Sequence, residues 1–248
     1  MAGEVYATGA ASVSGEAYAD GQGTLGAAGL GVSGSVYAAG QGVAGAVYGS
    51  GVRVFVVHSA TSAKLVVDAV GQLLQNPTVA QEVYFRVRST QQVADTGEAE
   101  LREFLEQSDI VLIEWLYRPG MLKIQTILEQ NPGLLTPEKD FIVVDSEVSL
   151  ARYTTIGGQR VFDGIDDSVL SEILDVDNEP DAQAKLSVWE QAYSQIKPWS
   201  DVRRYYEARG TENYIEQLKL VISRWAERNS RPELVLGYSP YKSIPRQM

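Results

Sequence analysis

The stretch Val52-Arg-Val-Phe-Val-Val57 decides the fold of this chain. It is almost entirely β-branched or aromatic, and it predicts a strand that is buried on both faces of a sheet. Ser59-Ala-Thr61 follows and is suited to cap a helix, in which apolar residues recur at helical spacing until Asn76-Pro77 ends it. A buried strand that leads directly into an amphipathic helix is the first part of an α/β unit.

Strands and helices continue to alternate after this unit. Helices are expected over residues 97–107 and 120–129. The second, third and fourth strands are predicted by Glu82-Val-Tyr-Phe-Arg-Val87, Asp109-Ile-Val-Leu-Ile-Glu-Trp115 and Phe141-Ile-Val-Val144. Alternation with short connections predicts right-handed crossovers and a parallel sheet with helices on both faces. We therefore expect an α/β fold with a flavodoxin-like, doubly wound core over residues 52–145.

Residues 146–248 are expected to form a mainly helical part of the same domain. Helices are predicted over residues 167–174, from Pro180 to Pro198, over residues 199–209, and over residues 211–229 with Thr211 as the cap. Two segments keep open alternatives. Gly157-Gly158 is either a hairpin turn or a helix stop, and Leu234-Val-Leu236 is a candidate for a last strand.

The first 51 residues differ in composition from the rest of the chain. They contain 14 of the 23 glycines and no lysine or arginine. A glycine-bounded unit that ends in tyrosine recurs as Gly3-Glu-Val-Tyr6, Gly15-Glu-Ala-Tyr18, Gly34-Ser-Val-Tyr37 and Gly45-Ala-Val-Tyr48. Such a repeat fits either short strands joined by tight turns or a flexible linker. We treat residues 1–51 as a Gly/Ala-rich segment, irregular or short β, that is separate from the α/β domain of residues 52–248.

The composition excludes several classes of site. The formal net charge of −11 argues against a nucleic-acid backbone as the partner. The absence of cysteine excludes disulfides, thiolate zinc sites and iron–sulfur clusters, and a single histidine excludes a multi-histidine metal site. The sequence has no phosphate-binding glycine fingerprint after the first strand, no Walker A motif and no apolar run of about 18 residues that would span a membrane. We predict no catalytic residue and no metal ligand in this chain.

A ligand is expected at the carboxyl ends of the predicted strands, because open α/β sheets bind ligands there. The candidate ligand-binding residues are His58, Ser59 and Thr61 after the first strand, and Glu114 and Arg118 after the third. Residues 145–147 after the fourth strand extend the same edge. The alternative is that these polar residues are helix caps and turn residues that satisfy backbone groups.

The C-terminal part of the chain carries a more particular pattern. In Tyr205-Tyr-Glu-Ala-Arg-Gly-Thr-Glu-Asn213 an aromatic helix meets a glycine and a new helix begins, and Tyr241-Lys-Ser-Ile-Pro245 comes later. Together with the Val-Arg-Val-Phe strand and Ser108-Asp-Ile-Val-Leu-Ile113, this resembles the N-terminal region of the large subunit of cobalt and magnesium chelatases, the cobaltochelatase CobN-like family. That family has a Gly-Gly-x-Glu-Asn type corner, so Arg209 stands where its first glycine would be. The resemblance covers residues 52–248.

The resemblance implies that this chain is the N-terminal part of a longer cytoplasmic enzyme, a ligase that inserts Co²⁺ or Mg²⁺ into a tetrapyrrole in cobalamin or chlorophyll-type biosynthesis. A AAA+ partner subunit would hydrolyse ATP, and this segment would bind no cofactor and catalyse nothing alone. The family-motif residues are expected to be structural, and they are Tyr206, Gly210, Glu212 and Asn213. The alternative is a non-enzymatic α/β module that binds a ligand or a partner, with the N-terminal repeats favouring a surface or secreted protein.

Overall fold

The computed structural model describes residues 51–178 and 182–242, together with four very short strands nearer the N-terminus. The first of these strands pairs in parallel with the third and the second with the fourth, in the order Tyr6–Ala7, Ala17–Ala19, Gly26–Ala27 and Val36–Ala38. Three of the four repeat tyrosines therefore lie in short strands. Tyr48 lies outside the described residues, as does the rest of the repeat, for which the sequence left strand and linker as alternatives.

A six-stranded sheet, numbered here from Val52, forms the centre of the fold. Its strands are β1 (Val52–His58), β2 (Val83–Ser89), β3 (Ile110–Ile113), β4 (Asp140–Val143), β5 (Thr155–Ile156) and β6 (Gln159–Arg160). Their order across the sheet is β6-β5-β4-β3-β1-β2. Strands β1 to β4 are parallel, and β5 runs antiparallel to β4 and β6. The parallel order 2-1-3-4 is the flavodoxin-like order, so the predicted α/β class is confirmed.

Ten α-helices lie in the described part of the chain. They are α1 (Ala63–Leu73), α2 (Pro77–Glu82), α3 (Thr90–Asp95), α4 (Glu98–Gln107), α5 (Gly120–Gln130), α6 (Val148–Ala151), α7 (Asp167–Leu174), α8 (Ala182–Ala192), α9 (Lys197–Ala208) and α10 (Thr211–Arg228). Short 3-10 helices occur at Ala60–Ser62, Pro132–Leu134, Asp175–Asn178, Ser194–Ile196 and Pro232–Leu234. The chain after β4 is mainly helical, as predicted.

The contacts of the helices divide them into two groups that cover the sheet. Helix α1 packs against α10, which also packs against α9 and reaches β3. Helix α5 packs against α3 and α4, and both of these contact β1. Every residue of β3 and β4 is buried, and one hydrophobic core joins the sheet to both groups. The late helices α9 and α10 therefore complete the cover of the same sheet that the early strands form.

Two short helices, α2 and α3, are missing from the sequence prediction because side-chain caps rather than apolar repeats define them. The Asn76 side chain accepts hydrogen bonds from two backbone amides, and Pro77 occupies the first turn of α2. Asn76-Pro77 therefore begins a helix as well as following the end of α1. A capping box between Ser89 and Gln92 begins α3 directly at the end of β2.

The structure decides both alternatives that the sequence left open in residues 146–248. Gly157 and Gly158 form the turn of the β5–β6 hairpin, and their φ angles of 61° and 74° are those that a two-residue hairpin turn requires. Residues 234–236 form no strand. The Ser223 side chain on α10 pairs with both backbone groups of Leu236 at 2.8 Å instead, so this segment is held by a helix rather than by the sheet.

Two predicted helix boundaries were wrong. Pro198 does not end the preceding helix but lies in the first turn of α9, where the missing proline N–H has no partner to lose. Thr211 is the first residue of α10 rather than its cap, and Gly210 holds the cap position without a side chain. Pro180, which was predicted to open α8, lies outside the described residues.

Candidate functional site

A surface cavity of about 760 Å³ opens at the carboxyl edge of β3 and β4. The turns after these two strands form one side of it, and α6, α7 and the 3-10 helix that follows form the other. Its lining residues are Trp115, Tyr117, Asp145, Ser146, Glu147, Val148, Ser149, Arg152, Asp167, Ser171, Leu174 and Asp175. This edge cavity has the location and the size of ligand pockets in α/β proteins.

Aromatic faces and carboxyl groups dominate the edge cavity. Trp115 and Tyr117 are each 37% exposed, and their ring centroids are 5.1 Å apart. The Tyr117 hydroxyl donates to Asp145 Oδ1 at 2.8 Å, which holds the ring against the wall. Four carboxylic side chains line the cavity and only one guanidinium, that of Arg152. An acidic lining with exposed aromatic rings favours a cationic over an anionic ligand.

The residues predicted after β1 do not line this cavity. His58 is only 4% exposed, and its ring Nδ1–H donates to the Ser59 carbonyl oxygen at 2.6 Å. Burial lowers the pKa of His58, which favours the neutral ring. The Ser59 side chain caps the short helix that follows, and its hydroxyl lies 2.9 Å from that of Thr61. These three residues make the cap and turn contacts of the alternative interpretation.

The structure separates the two residues that were predicted after β3. Arg118 is exposed, and its Nε lies 3.4 Å from Oε1 of Glu147, which lines the edge cavity. Glu114 is 2% exposed and lies beside Tyr214 of α10. Burial raises the pKa of Glu114 to about 8, although the Tyr214 hydroxyl acts in the opposite direction. Arg118 therefore reaches the rim of the cavity, whereas Glu114 belongs to the core.

Helix α9, which carries the aromatic part of the family-like pattern, supports the wall of the edge cavity. Trp199 Nε1 donates to the carbonyl oxygen of the last residue of β4 at 2.7 Å. The buried Arg203 guanidinium donates to the carbonyl oxygens of Val144 and Leu174, and Leu174 lines the cavity. Burial and the nearby Asp145 carboxylate raise the pKa of Tyr206 well above its usual range. The cavity is therefore shaped by residues far apart in the sequence.

The corner between α9 and α10 has an unusual backbone at two successive residues. Arg209 has φ 54° and ψ −178°, and Gly210 has φ 83° and ψ 151°. Positive φ combined with an extended ψ is a region that essentially only glycine adopts without strain. Gly210 suits this conformation because it has no Cβ atom. Arg209 is a second such position, which its residue type did not indicate.

Asn213 joins this corner to residues 236–242, called here the strap. Its Nδ2 donates to the carbonyl oxygen of Arg209 at 2.7 Å and to that of Lys242 at 2.8 Å. Its Oδ1 accepts the backbone N–H of Lys242 at 2.7 Å. Glu212 forms an exposed ion pair with the Lys242 side chain at 2.7 Å. The motif residues Glu212 and Asn213 therefore bond to a segment 29 residues further along the chain.

Other residues of α9 and α10 also bind the backbone of the strap. Glu216 accepts the backbone N–H of Ser239, and the Tyr205 hydroxyl donates to the carbonyl oxygen of the same residue. A second cavity of about 510 Å³ lies between the strap, α10 and the end of α1. Its lining mixes amide, acidic and basic side chains, so its chemistry points to no class of ligand.

A buried polar cluster under α10, called here the polar chamber, is the feature that sequence reasoning missed. It consists of Glu114, Tyr214 and Gln217, which are 2%, 5% and 0% exposed. One carboxyl oxygen of Glu114, the Tyr214 hydroxyl and both polar atoms of Gln217 have no well-aligned hydrogen-bond partner among the described residues. A signal was available, because Glu114 directly follows an apolar strand and Gln217 interrupts the apolar face of α10.

Two kinds of site are not found in the described ranges 51–178 and 182–242. No group of three or more histidine, aspartate and glutamate side chains there is arranged to hold a metal ion. None of the helices in the same ranges is both long and apolar enough to cross a membrane.

Comparison with known proteins adds no assignment. No protein-family model matches the chain, and a search of curated proteins gave no significant match. The case for a function therefore depends on the sequence pattern and on the geometry of the edge cavity and the corner.

Proposed function

We propose that residues 52–248 belong to the N-terminal, non-catalytic head of the large subunit of an ATP-dependent chelatase that inserts Co²⁺ or Mg²⁺ into a tetrapyrrole. In this proposal the metal and the tetrapyrrole are substrates of the complete protein, and a AAA+ partner subunit hydrolyses ATP. The head itself holds no cofactor. It supplies a rigid α/β wall and directs the chain that follows it.

The backbone conformation of Arg209 carries this proposal. The chelatase-like pattern has two successive glycines before its Glu-Asn pair, and in this chain Arg209 and Gly210 occupy those two positions. Both residues adopt positive φ with extended ψ. That conformation favours glycine for steric reasons, whatever family the chain is compared with. The glycine pattern of the family and the backbone geometry of this chain therefore point to the same two positions.

The contacts of the other motif residues support a structural role for the corner. Tyr206 lies near Asp145 in the wall of the edge cavity, and Asn213 fixes both the corner and the strap. These contacts account for an aromatic residue and an amide at these positions without any catalytic task. They suit a head that shapes a surface and orients the following chain.

Metal insertion by the complete protein tests the proposal. The protein extended past Met248 is combined with its AAA+ partner and ATP, and insertion of Co²⁺ or Mg²⁺ into a tetrapyrrole is followed by absorbance. Insertion that requires ATP and the partner is expected, and the 248-residue chain alone should insert nothing. If the extended protein inserts neither metal, the proposal is wrong. A matched pair of extended proteins, wild type and Asn213→Ala, then shows whether the fixed strap contributes to the rate.

The edge cavity favours a second candidate function, a non-enzymatic module that binds a cationic ligand or partner. Its exposed aromatic pair and its excess of carboxyl groups are the supporting observation. Benzyltrimethylammonium and benzoate, which share a ring and differ in charge, are titrated into the intact chain and followed by NMR. Preferential binding of the cation that is lost in Trp115→Ala supports this function. Equal binding of both compounds, or binding of neither, argues against it.

A further inference from the structure

The polar chamber lies at an unusual place for a carboxyl group. Glu114 directly follows β3, a strand in which every residue is buried, and it is itself 2% exposed. Tyr214 and Gln217 lie one helical turn apart on α10, so their side chains are on the same face of that helix. The Tyr214 hydroxyl interacts with the Glu114 carboxyl, although the pair lacks good hydrogen-bond alignment.

Burial and the Tyr214 hydroxyl, rather than a cation, set the pKa of the Glu114 carboxyl. The guanidinium of Arg203 on α9 lies 2.8 Å from Glu207 and donates to two backbone carbonyl oxygens. Tyr214 on α10 is the titratable group that acts on the Glu114 carboxyl. Glu114 in turn acts on Tyr206 of α9, together with Asp145, Arg203 and Glu207. A carboxylate at Glu114 would therefore be buried without a counter-ion, whereas a protonated carboxyl is neutral and donates a hydrogen bond.

Buried polar atoms in folded proteins are nearly always hydrogen-bonded, either to protein groups or to ordered water. The two polar atoms of Gln217 lack such partners in the described chain, and they lie beside the interacting pair of Glu114 and Tyr214. Ordered water typically makes about three hydrogen bonds to such groups. We propose that the polar chamber holds ordered water and that Glu114 is a proton-binding site, protonated at neutral pH.

The position of the chamber on α10 gives this proton site a consequence. The same turn of the helix carries Asn213 and Glu216, whose side chains hold the backbone of the strap. Loss of the proton from Glu114 places an unpaired charge under that turn and favours movement of the helix away from β3. Ionisation of Glu114 therefore loosens the strap, so the chamber acts as a proton-sensitive latch on residues 236–242.

Infrared spectroscopy of the intact chain tests the proton site. A protonated carboxyl band is expected at neutral pH, and it should be absent from Glu114→Gln and retained in Glu103→Gln, an exposed control. The band should disappear in mildly alkaline solution, and in Tyr214→Phe it should persist to higher pH because the hydroxyl favours the ionised form. Rapid sensitivity of the band to D₂O is expected from a hydrated chamber. A band that is missing at neutral pH, or a band that Mg²⁺ or K⁺ abolishes, overturns the proposal.

Two further measurements separate a hydrated chamber from a dry one and test the latch. Gln217→Leu removes two polar atoms, so it lowers the denaturant midpoint if they are bonded to water and raises it if they are unpaired. Amide hydrogen exchange becomes faster with pH in any protein. In the wild type, exchange of residues 236–242 should increase by more than this once Glu114 ionises, and the additional increase should be absent in Glu114→Gln. A raised midpoint for Gln217→Leu refutes the water, and equal exchange in both proteins refutes the latch.

Discussion

Replacement of Arg209 by glycine is expected to stabilise this protein. Arg209 has φ 54° and ψ −178°, a conformation in which a Cβ atom is strained, and its side chain is exposed. Arg209 contributes two backbone hydrogen bonds to the corner: its N–H donates to the end of α9, and its carbonyl oxygen accepts from Asn213. Neither bond depends on the side chain. The substitution therefore removes strain and keeps these hydrogen bonds.

The size of the gain follows from two opposing effects. A residue held in a sparsely populated backbone region costs about 1–3 kcal/mol, and glycine avoids this cost. Glycine also increases the conformational entropy of the unfolded chain, which costs about 0.5–1 kcal/mol. The expected net gain is about 1 kcal/mol, which corresponds to a rise of about 2–4 °C in Tm for a domain of this size.

Denaturant unfolding of three variants tests this reasoning. The four tryptophans provide the fluorescence signal, and all variants are compared at one pH. Arg209→Ala is the matched control, because it removes the same side chain but keeps the Cβ atom and therefore the strain. Gly210→Ala should lose about 1–3 kcal/mol, since it adds a Cβ atom at φ 83°. If Arg209→Gly is no more stable than Arg209→Ala, the strain at this corner is not real.

Three other substitutions have expected outcomes that unfolding experiments measure. The pKa of Glu114 rises from 4.5 to about 8 on folding, so this group lowers the free energy of unfolding by about 5 kcal/mol in total as the pH increases between those values. Glu114→Gln should flatten this decline, and an unchanged slope would contradict the prediction. Asn213→Ala removes hydrogen bonds of 2.7–2.8 Å from a residue that is 3% exposed, so it should lower the free energy of unfolding by about 2–4 kcal/mol and make the strap sensitive to proteolysis. Asn229→Ala, at the end of α10, is the control and should have a smaller effect on both measurements. Arg203→Leu leaves the carboxylate of Glu207 without its buried partner and should lower the free energy of unfolding by about 3–5 kcal/mol. The double variant with Glu207→Gln should recover part of this stability, and full additivity of the two substitutions would show that the pair is not coupled.

The sheet was predictable because its central strands are continuous apolar runs. β1, β3 and β4 bury nearly every residue, so composition alone locates them, and their alternation with helices gives the parallel order. Helix α7 was predicted with its observed limits, since Asp167 begins a regular apolar repeat. The short helices α2 and α3 were not, because two or three polar contacts at a cap define them and their apolar content is small.

The site was less predictable because its shape depends on contacts between distant segments. A cavity opens at the turns after β3 and β4, which is where the rule for α/β sheets leads us to expect a ligand. It gave no information on which side chains α10 would cover, and Glu114 is buried by residues about 100 positions later in the chain. The orientation of His58 likewise depends on its bond to the Ser59 carbonyl, which no periodicity reveals.

The way the strap is held affects which of its residues can be substituted. Asn213 and Ser223 bind only backbone atoms of Lys242 and Leu236, so they impose a path without selecting side chains. Substitutions along residues 236–242 should therefore accumulate in related chains more readily than substitutions at those two helix positions. The route of this segment is set largely by hydrogen bonds from α9 and α10 to its backbone. A protein engineer who grafts this segment onto another scaffold should copy both helices and keep Lys242, whose side chain pairs with Glu212.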